Sequence, residues 1–243
     1  MDELKTSKQI IFKNHNYLCL NKKKLMGNFK KIFKYLAITL FVLVVTFLIF
    51  YRFWFLRCPD RKIEQSENTF VSPANGEIVS ITKFNQEWIN VTKEKFGVIH
   101  LWTKDVDTAG YIISIQMNPT HVHYQRMPVD GKIIAHKHTS GSFNNAVLMS
   151  NDLGIRFENE HNEILFENKS GEKFKIVQIA GFVARRIVDF VKPDMEKNKG
   201  DLIGLIKLGS QVTVVLPYGY IPNVEKGNTV TDGETVLAIK KDN

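Results

Sequence analysis

Apolar and polar positions change character near residue 57. Before it, Tyr35 to Tyr51 (YLAITLFVLVVTFLIFY) is an uncharged, largely apolar run of 17 residues, extended after Arg52 by Phe53-Trp54-Phe55-Leu56. That length meets the lower limit for a helix crossing a hydrocarbon core of about 30 Å. The pattern predicts an anchor over 35–56 with aromatics at the interface. No small-residue cleavage site follows it, so a permanent anchor is expected rather than a removed signal. Residues 1–34 form a basic N-terminal segment, and Met26 is an alternative start. Lysines 22, 23, 24, 30, 31 and 34 precede the run, and arginines 52, 57 and 61 with Lys62 follow it. The imbalance leans toward a cytoplasmic N-terminus, while basic residues on both flanks keep an interfacial insertion open.

The composition turns polar over 57–69, which reads as a linker to a domain at 70–243. From Phe70 onward, β-branched and aromatic runs at 77–81, 97–102, 111–117, 132–136, 164–167 and 173–180 are separated by Gly, Pro, Asn and Asp turns. These are strand signals. Asn75-Gly76 and Asp130-Gly131 carry the signature of tight hairpins with positive dihedrals. Residues 184–190 fit either a short helix or a strand. The stretches 192–206 and 224–239 each read as an apolar residue, a glycine-containing turn and a strand, as in flattened barrel-sandwich modules. The expected fold is mainly β, a barrel-sandwich-like domain behind a hydrophobic anchor helix. Apolar alternation at 201–208 and 211–216 predicts two strands meeting at a tight corner, with Gly209-Ser210 as its turn.

The net charge of +8 and a pI near 9.3 call for an anionic partner. A membrane surface fits. No nucleic acid is expected, because no recognition motif or aromatic-interleaved basic face is present. Cys19 and Cys58 have no metal-ligand spacing and read as free thiols of a reducing compartment. In His121-Val122-His123-Tyr124, two histidines at i and i+2 would share one face of a strand. The spacing suits a pair of metal ligands, ordinary polar surface, or a proton donor that titrates near neutrality. The Gly209-Ser210 corner has a second reading besides a turn. A serine hydroxyl held against the preceding carbonyl can attack it, and glycine leaves that carbonyl unobstructed.

Several segments, in order, resemble the short, membrane-anchored form of the phosphatidylserine decarboxylase family. They are Phe55-Leu56-Arg57-Cys58-Pro59-Asp60-Arg61, Met117-Asn118 through His123, Arg126 and Pro128, and Ser140-Gly141-Ser142-Phe143-Asn144-Asn145-Ala146. Glu160-His161-Asn162, Val177 through Arg186, and Gly204 through Ser210 complete the set. The resemblance implies self-cleavage between Gly209 and Ser210, with Ser210 becoming a pyruvoyl cofactor. That group accepts the electrons released as CO2 leaves phosphatidylserine, the work pyridoxal phosphate does elsewhere. It implies His123 as proton donor, and Arg126, Arg185 and Arg186 as partners of the lipid phosphate, whose oxygens match a guanidinium fork. If 184–190 is extended, only one of the adjacent arginines faces the site. Phe143 is expected beside the acyl chains. The implied partners are a phospholipid and a membrane, and the resemblance admits a homodimer of cleaved heterodimers; no metal is implied.

Two positions depart from the family pattern. Asn75 stands where the family has an aspartate implicated in self-cleavage, and an amide cannot take up a proton or balance an imidazolium by charge. His121 stands where Asp or Asn is usual, and is a candidate compensating base. Two other readings compete: a membrane-anchored zinc peptidase using His121 and His123, and an uncleaved, non-enzymatic membrane-tethered β module.

Overall fold

A computed structural model describes residues 26, 29–93, 97–140, 160–180, 187–207 and 210–241. The chain divides into two units, residues 1–54 and 55–243. The first contains nearly all of an apolar helix, Phe29–Phe55, whose last residues, Phe50–Phe55, are wound as a π-helix. By length and composition this helix is long and apolar enough to cross a membrane. It begins six residues before the expected anchor, so Lys30, Lys31 and Lys34 belong to its first turns.

The second unit is mainly β, as expected. In chain order its strands are β1 (Thr69–Val71), β2 (Gly76–Phe84), β3 (Trp88–Lys93), β4 (Gly97–Trp102), β5 (Gly110–Met117), β6 (Tyr124–Arg126), β7 (Gly131–Thr139) and β8 (His161–Glu167). There follow β9 (Lys173–Ala180), β10 (Ile187–Asp189), β11 (Glu196–Lys197), β12 (Leu202–Ile206), β13 (Ser210–Pro217), β14 (Tyr220–Pro222), β15 (Thr229–Val230) and β16 (Val236–Lys240). Eight strands form one curled sheet in the order β11-β7-β8-β9-β13-β5-β2-β15. Two three-stranded sheets, β10-β12-β6 and β1-β16-β14, and the β3-β4 hairpin complete the unit.

The centre of the large sheet is covered on both faces. One core holds Ile78, Ile113, Ile115, Phe166, Ile176, Val212 and Val214. A second, on the opposite face, holds Phe84, Ile99, Leu101, Ile112, Val177 and Val215. This is why the alternation of 211–216 gives way to the apolar run Val214-Val215-Leu216: an interior strand with two covered faces has no wet side. Its polar Thr213 is buried with Ser114 of β5, their hydroxyls 3.0 Å apart.

Three local expectations are corrected. First, β12 and β13 are not hairpin partners. β12 pairs with β10 and β6, whereas β13 pairs with β5 and β9, so the chain changes sheets between Ile206 and Ser210. Second, Gly76 and Gly131 have no positive φ and begin strands instead of closing hairpins. Their glycines serve close approach: a Cβ on Gly76 would lie 2.4 Å from the Gln116 carbonyl oxygen, and one on Gly131 would lie 2.5 Å from that of Glu167. Third, residues 57–69 are no free linker, since their backbone is bonded along the domain, including Glu64 N–H to Gly233 O at 3.4 Å. Of 184–190, residues 187–190 are described, and Ile187–Asp189 among them form a strand.

Gly76→Ala therefore meets backbone on the neighbouring strand, which cannot step aside as a side-chain tip can. The expected loss is ~1–3 kcal/mol from overpacking, seen as a melting temperature lower by ~2–4 °C per kcal/mol. Unchanged thermal unfolding would show that the β2–β5 approach relaxes freely.

Candidate active site

Ser210 opens β13 with its backbone in register with Met117 of β5 on one side and Ala180 of β9 on the other. One residue along, Gln211 pairs with Gln116, which pairs with Glu77 of β2. Gly76, next to Asn75, thus extends the row that contains Ser210. The upstream side of the corner is held differently: Ile206 N–H donates to the His123 carbonyl at 3.2 Å. The described backbone is thus held at Ile206 by His123 and from Ser210 onward by the β5-β13-β9 ladder. Gly209 itself, with Arg185, Arg186 and Phe143, lies outside the described residues.

His121 and His123 do not share a strand face. Residues 118–123 form a turn that ends where β6 begins. His121 Nδ1 accepts the Asn118 N–H at 3.2 Å, so in the neutral ring its proton sits on Nε2 and no lone pair is left over. Half-burial and the Arg57 charge hold its pKa below the ordinary value, with Glu77 opposing. His123 is fully buried. Its Nδ1 lies 2.9 Å from the His121 carbonyl, which fixes Nδ1 as the N–H. Its Nε2 is buried and has no hydrogen-bond partner among the described residues. The ring packs against Phe55, with centroids 4.2 Å apart. Burial is the main cause that lowers its pKa to about 4. The result is a neutral, dry imidazole with one unused lone pair, the form a general base requires.

Asn75 is half-buried in the segment linking β1 to β2. That segment is fixed by Arg126 N–H donating to the Pro73 carbonyl at 2.9 Å and by the Ser72 hydroxyl donating to the Ala74 carbonyl at 2.6 Å. Asn75 thus lies between β6, which follows His123, and the row of Ser210.

The Arg126 guanidinium is committed to protein acceptors. Nε donates to Asp232 Oδ2 at 2.9 Å, Nη1 to Gly200 O at 2.9 Å, and Nη2 to Pro59 O at 2.9 Å. Asp232 is completely buried and also takes Arg61 Nη2 on Oδ1 at 2.6 Å. Sequence reading missed Asp232, because Thr231-Asp232-Gly233 reads as an ordinary polar turn.

A second element was also missed, a buried line of amides between the two sheets. Gln125 Nε2 donates to the His123 carbonyl at 2.6 Å, Gln178 Nε2 to Gln125 Oε1 at 2.9 Å, and Asn162 Nδ2 to Gln178 Oε1 at 2.9 Å. Asn162 Nδ2 also donates to Asp189, whose other oxygen lies 3.3 Å from His136 Nε2. Gly204 makes room for it, since a Cβ there would lie 2.4 Å from Gln178 Nε2. The line ends on the His123 carbonyl and so holds its backbone, and buried amides of this kind specify one arrangement only when bonded.

Burial of His123 has a consequence for stability. The folded ring gains its proton only near pH 4, whereas an unfolded one does so near 6.5. Between these values the unfolded state binds more protons, so stability rises with pH across the window. It is fully present above about pH 6.5 and falls by up to about 3 kcal/mol as pH drops to 4. In the Ser210→Ala chain, denaturant midpoints at pH 4.5 and 7.5 should differ clearly, and His123→Gln should shrink that difference. An equal difference in both proteins would remove His123 as its source.

Residues 48–238 match the family profile described as phosphatidylserine decarboxylase. The chain is 35% identical over 216 residues to a Methanocaldococcus jannaschii protein named "Putative archaetidylserine decarboxylase proenzyme", covering 89% of this chain and 98% of that one. It is 33% identical over 215 residues to the phosphatidylserine decarboxylase proenzyme of Citrifermentans bemidjiense, covering 88% and 87% of the two chains. With the proenzyme of that name from Rickettsia typhi it shares 36% identity over 185 residues, covering 76% and 73%. The chain accordingly belongs to the phosphatidylserine decarboxylase family and is a decarboxylase, a carboxy-lyase.

Proposed function

We propose that this chain is made as a proenzyme, cleaves its own Gly209–Ser210 bond, and decarboxylates the serine headgroup of a membrane phospholipid, phosphatidylserine. The observation that supports this best is the neutral, buried His123, whose backbone is bonded to the residue that enters the corner. Cleavage begins when the Ser210 hydroxyl, losing its proton to His123 Nε2, attacks the Gly209 carbonyl. The acyl group moves from nitrogen to oxygen. Elimination then breaks the Ser210 Cβ–O bond, freeing the Gly209 carboxylate, and hydrolysis releases ammonia. The pyruvoyl group left at Ser210 would supply a carbonyl that withdraws the electron pair freed as CO2 departs. The fit to this chain rests on the unpartnered His123 Nε2 and on the two-sided hold of the Ser210 backbone.

His123 then works in the opposite direction. Having taken the proton that the substrate ammonium must give up before its amine can react, it holds that proton weakly in its dry pocket and delivers it to the α-carbon that lost CO2. His121 has no lone pair to offer and is left with the turn. Asn75 orients its neighbours by hydrogen bonding but adds no charge. The lipid phosphate falls to Arg185 or Arg186, with Phe143 toward the acyl chains, while Arg126 keeps the structural role its bonds describe. The Phe29–Phe55 helix would hold the site at a membrane surface. A homodimer of cleaved heterodimers is part of this reading on the resemblance alone.

The direct test is release of CO2 from vesicles containing serine-carboxyl-labelled phosphatidylserine. His123→Ala should slow the appearance of the two chains, and the fraction that has cleaved on prolonged incubation should lose ~10²–10⁴-fold in decarboxylation rate while still being trapped on the lipid amine by borohydride. Undiminished turnover would remove His123 from the reaction. For maturation, Asn75→Asp should speed the appearance of the two chains in freshly translated protein, and Asn75→Ala should slow it. Equal rates in all three would make position 75 structural.

A further inference from the structure

Residues 55–64 run along the β domain under constraints far denser than a connection to a helix requires. Arg57 Nη2 donates to the Thr120 carbonyl at 2.5 Å, inside the turn that carries both histidines. The Pro59 carbonyl accepts from Arg126, Arg61 is paired with Asp232, and the Lys62 N–H donates to Glu234 Oε1 at 3.0 Å. Ile63 lies over two glycines of positive φ. A Cβ on Gly200 or on Gly233 would come within 2.6 Å of its side chain. Only residues without Cβ leave room for the segment there.

At the start of this segment stands Phe55, completely buried, with its ring on that of His123. A buried carboxylate shared by two arginines is a costly element that persists only when both partners stay in place. Asp232 is such a carboxylate. It fixes Arg61 of the segment directly and fixes Pro59 through Arg126. Asp232 also follows the Gly209–Ser210 bond in sequence, whereas both arginines precede it.

We propose that residues 55–64 form a strap, that Asp232 and Arg126 set its position, and that its purpose is to hold Phe55 over His123 and keep water from the imidazole. Asp232, Arg126 and Phe55 are then positioning residues for the proton chemistry of His123, a role resting on the reading of His123 given above. The titratable and charged groups that bear on the His123 ring are His121 in its own turn and Arg57 in the strap, whose charges oppose its protonation, while the His121 carbonyl on Nδ1 favours it. Desolvation outweighs both. Removing the cover should therefore let the ring titrate closer to its ordinary value, even with Arg57 in place.

The test uses the full chain in lipid nanodiscs with Ser210→Ala, which needs no activity. Labelled histidine ring signals are followed by NMR against pH, with His123→Gln identifying the signal. In the parent, His123 should titrate near pH 4. Adding Phe55→Ala or Asp232→Asn should raise this by one unit or more, whereas Phe55→Leu, which keeps an apolar cover, should leave it low. A His123 titration unmoved by Phe55→Ala in a protein that still melts cooperatively overturns the proposal. If Asp232→Asn does not fold, Phe55→Ala and Phe55→Leu decide alone. In active protein the same Phe55→Ala change should move the acidic limb of the pH–rate profile upward. A shifted titration with an unshifted limb keeps the strap and removes His123 from the reaction instead.

Discussion

Everything about the site depends on β13 being an interior strand. Ser210 through Val215 is hydrogen-bonded along both edges, to β5 and to β9, and both of its faces are covered. The residues just before it belong to another sheet, where β12 is held by β10 and β6. The described chain therefore leaves one sheet at Ile206 and is in the other at Ser210.

The same arrangement explains why so much polar structure is buried around His123. The Gln125–Gln178–Asn162 line ties β6 to β9 and β8, and so joins the two sheets the corner bridges. An apolar filling would pack those sheets without fixing their relative register, whereas bonded amides demand one register. Against the ring lies Phe55, which contributes apolar cover and no hydrogen bond to Nε2. Backbone held by polar contacts and ring held in a dry place together give an imidazole that is rigid, neutral and available.

Much of the fold was legible in the sequence because strands announce themselves locally. The runs at 97–102 and 173–180 match β4 and β9 residue for residue, and 111–117 misses only Gly110. What failed was partnership. Local pattern cannot distinguish two strands joined by a hairpin from two strands that go to different sheets, so the strands flanking Gly209-Ser210 were read as partners. Asn75-Gly76 and Asp130-Gly131 failed for a related reason: the glycine was needed for a neighbouring carbonyl distant in sequence, not for its own dihedral. Within the site, His123 was found through its family position, while Asp232 was invisible because only tertiary burial separates it from any other turn aspartate. Arg126 was expected to face phosphate. Its partners Asp232, Gly200 and Pro59 converge on it from three separate stretches, which no spacing rule reveals.

The central claim, that the constrained bond before β13 is the one the chain breaks, is most directly tested by the intact mass of the purified full-length protein. Two species should be found, residues 1–209 and 210–243, the smaller one lighter by one ammonia than a peptide beginning with serine. They should be replaced by a single uncut chain in Ser210→Ala. A wild-type protein that stays whole on prolonged incubation, or a Ser210→Ala protein that still divides at this bond, would contradict self-cleavage through Ser210.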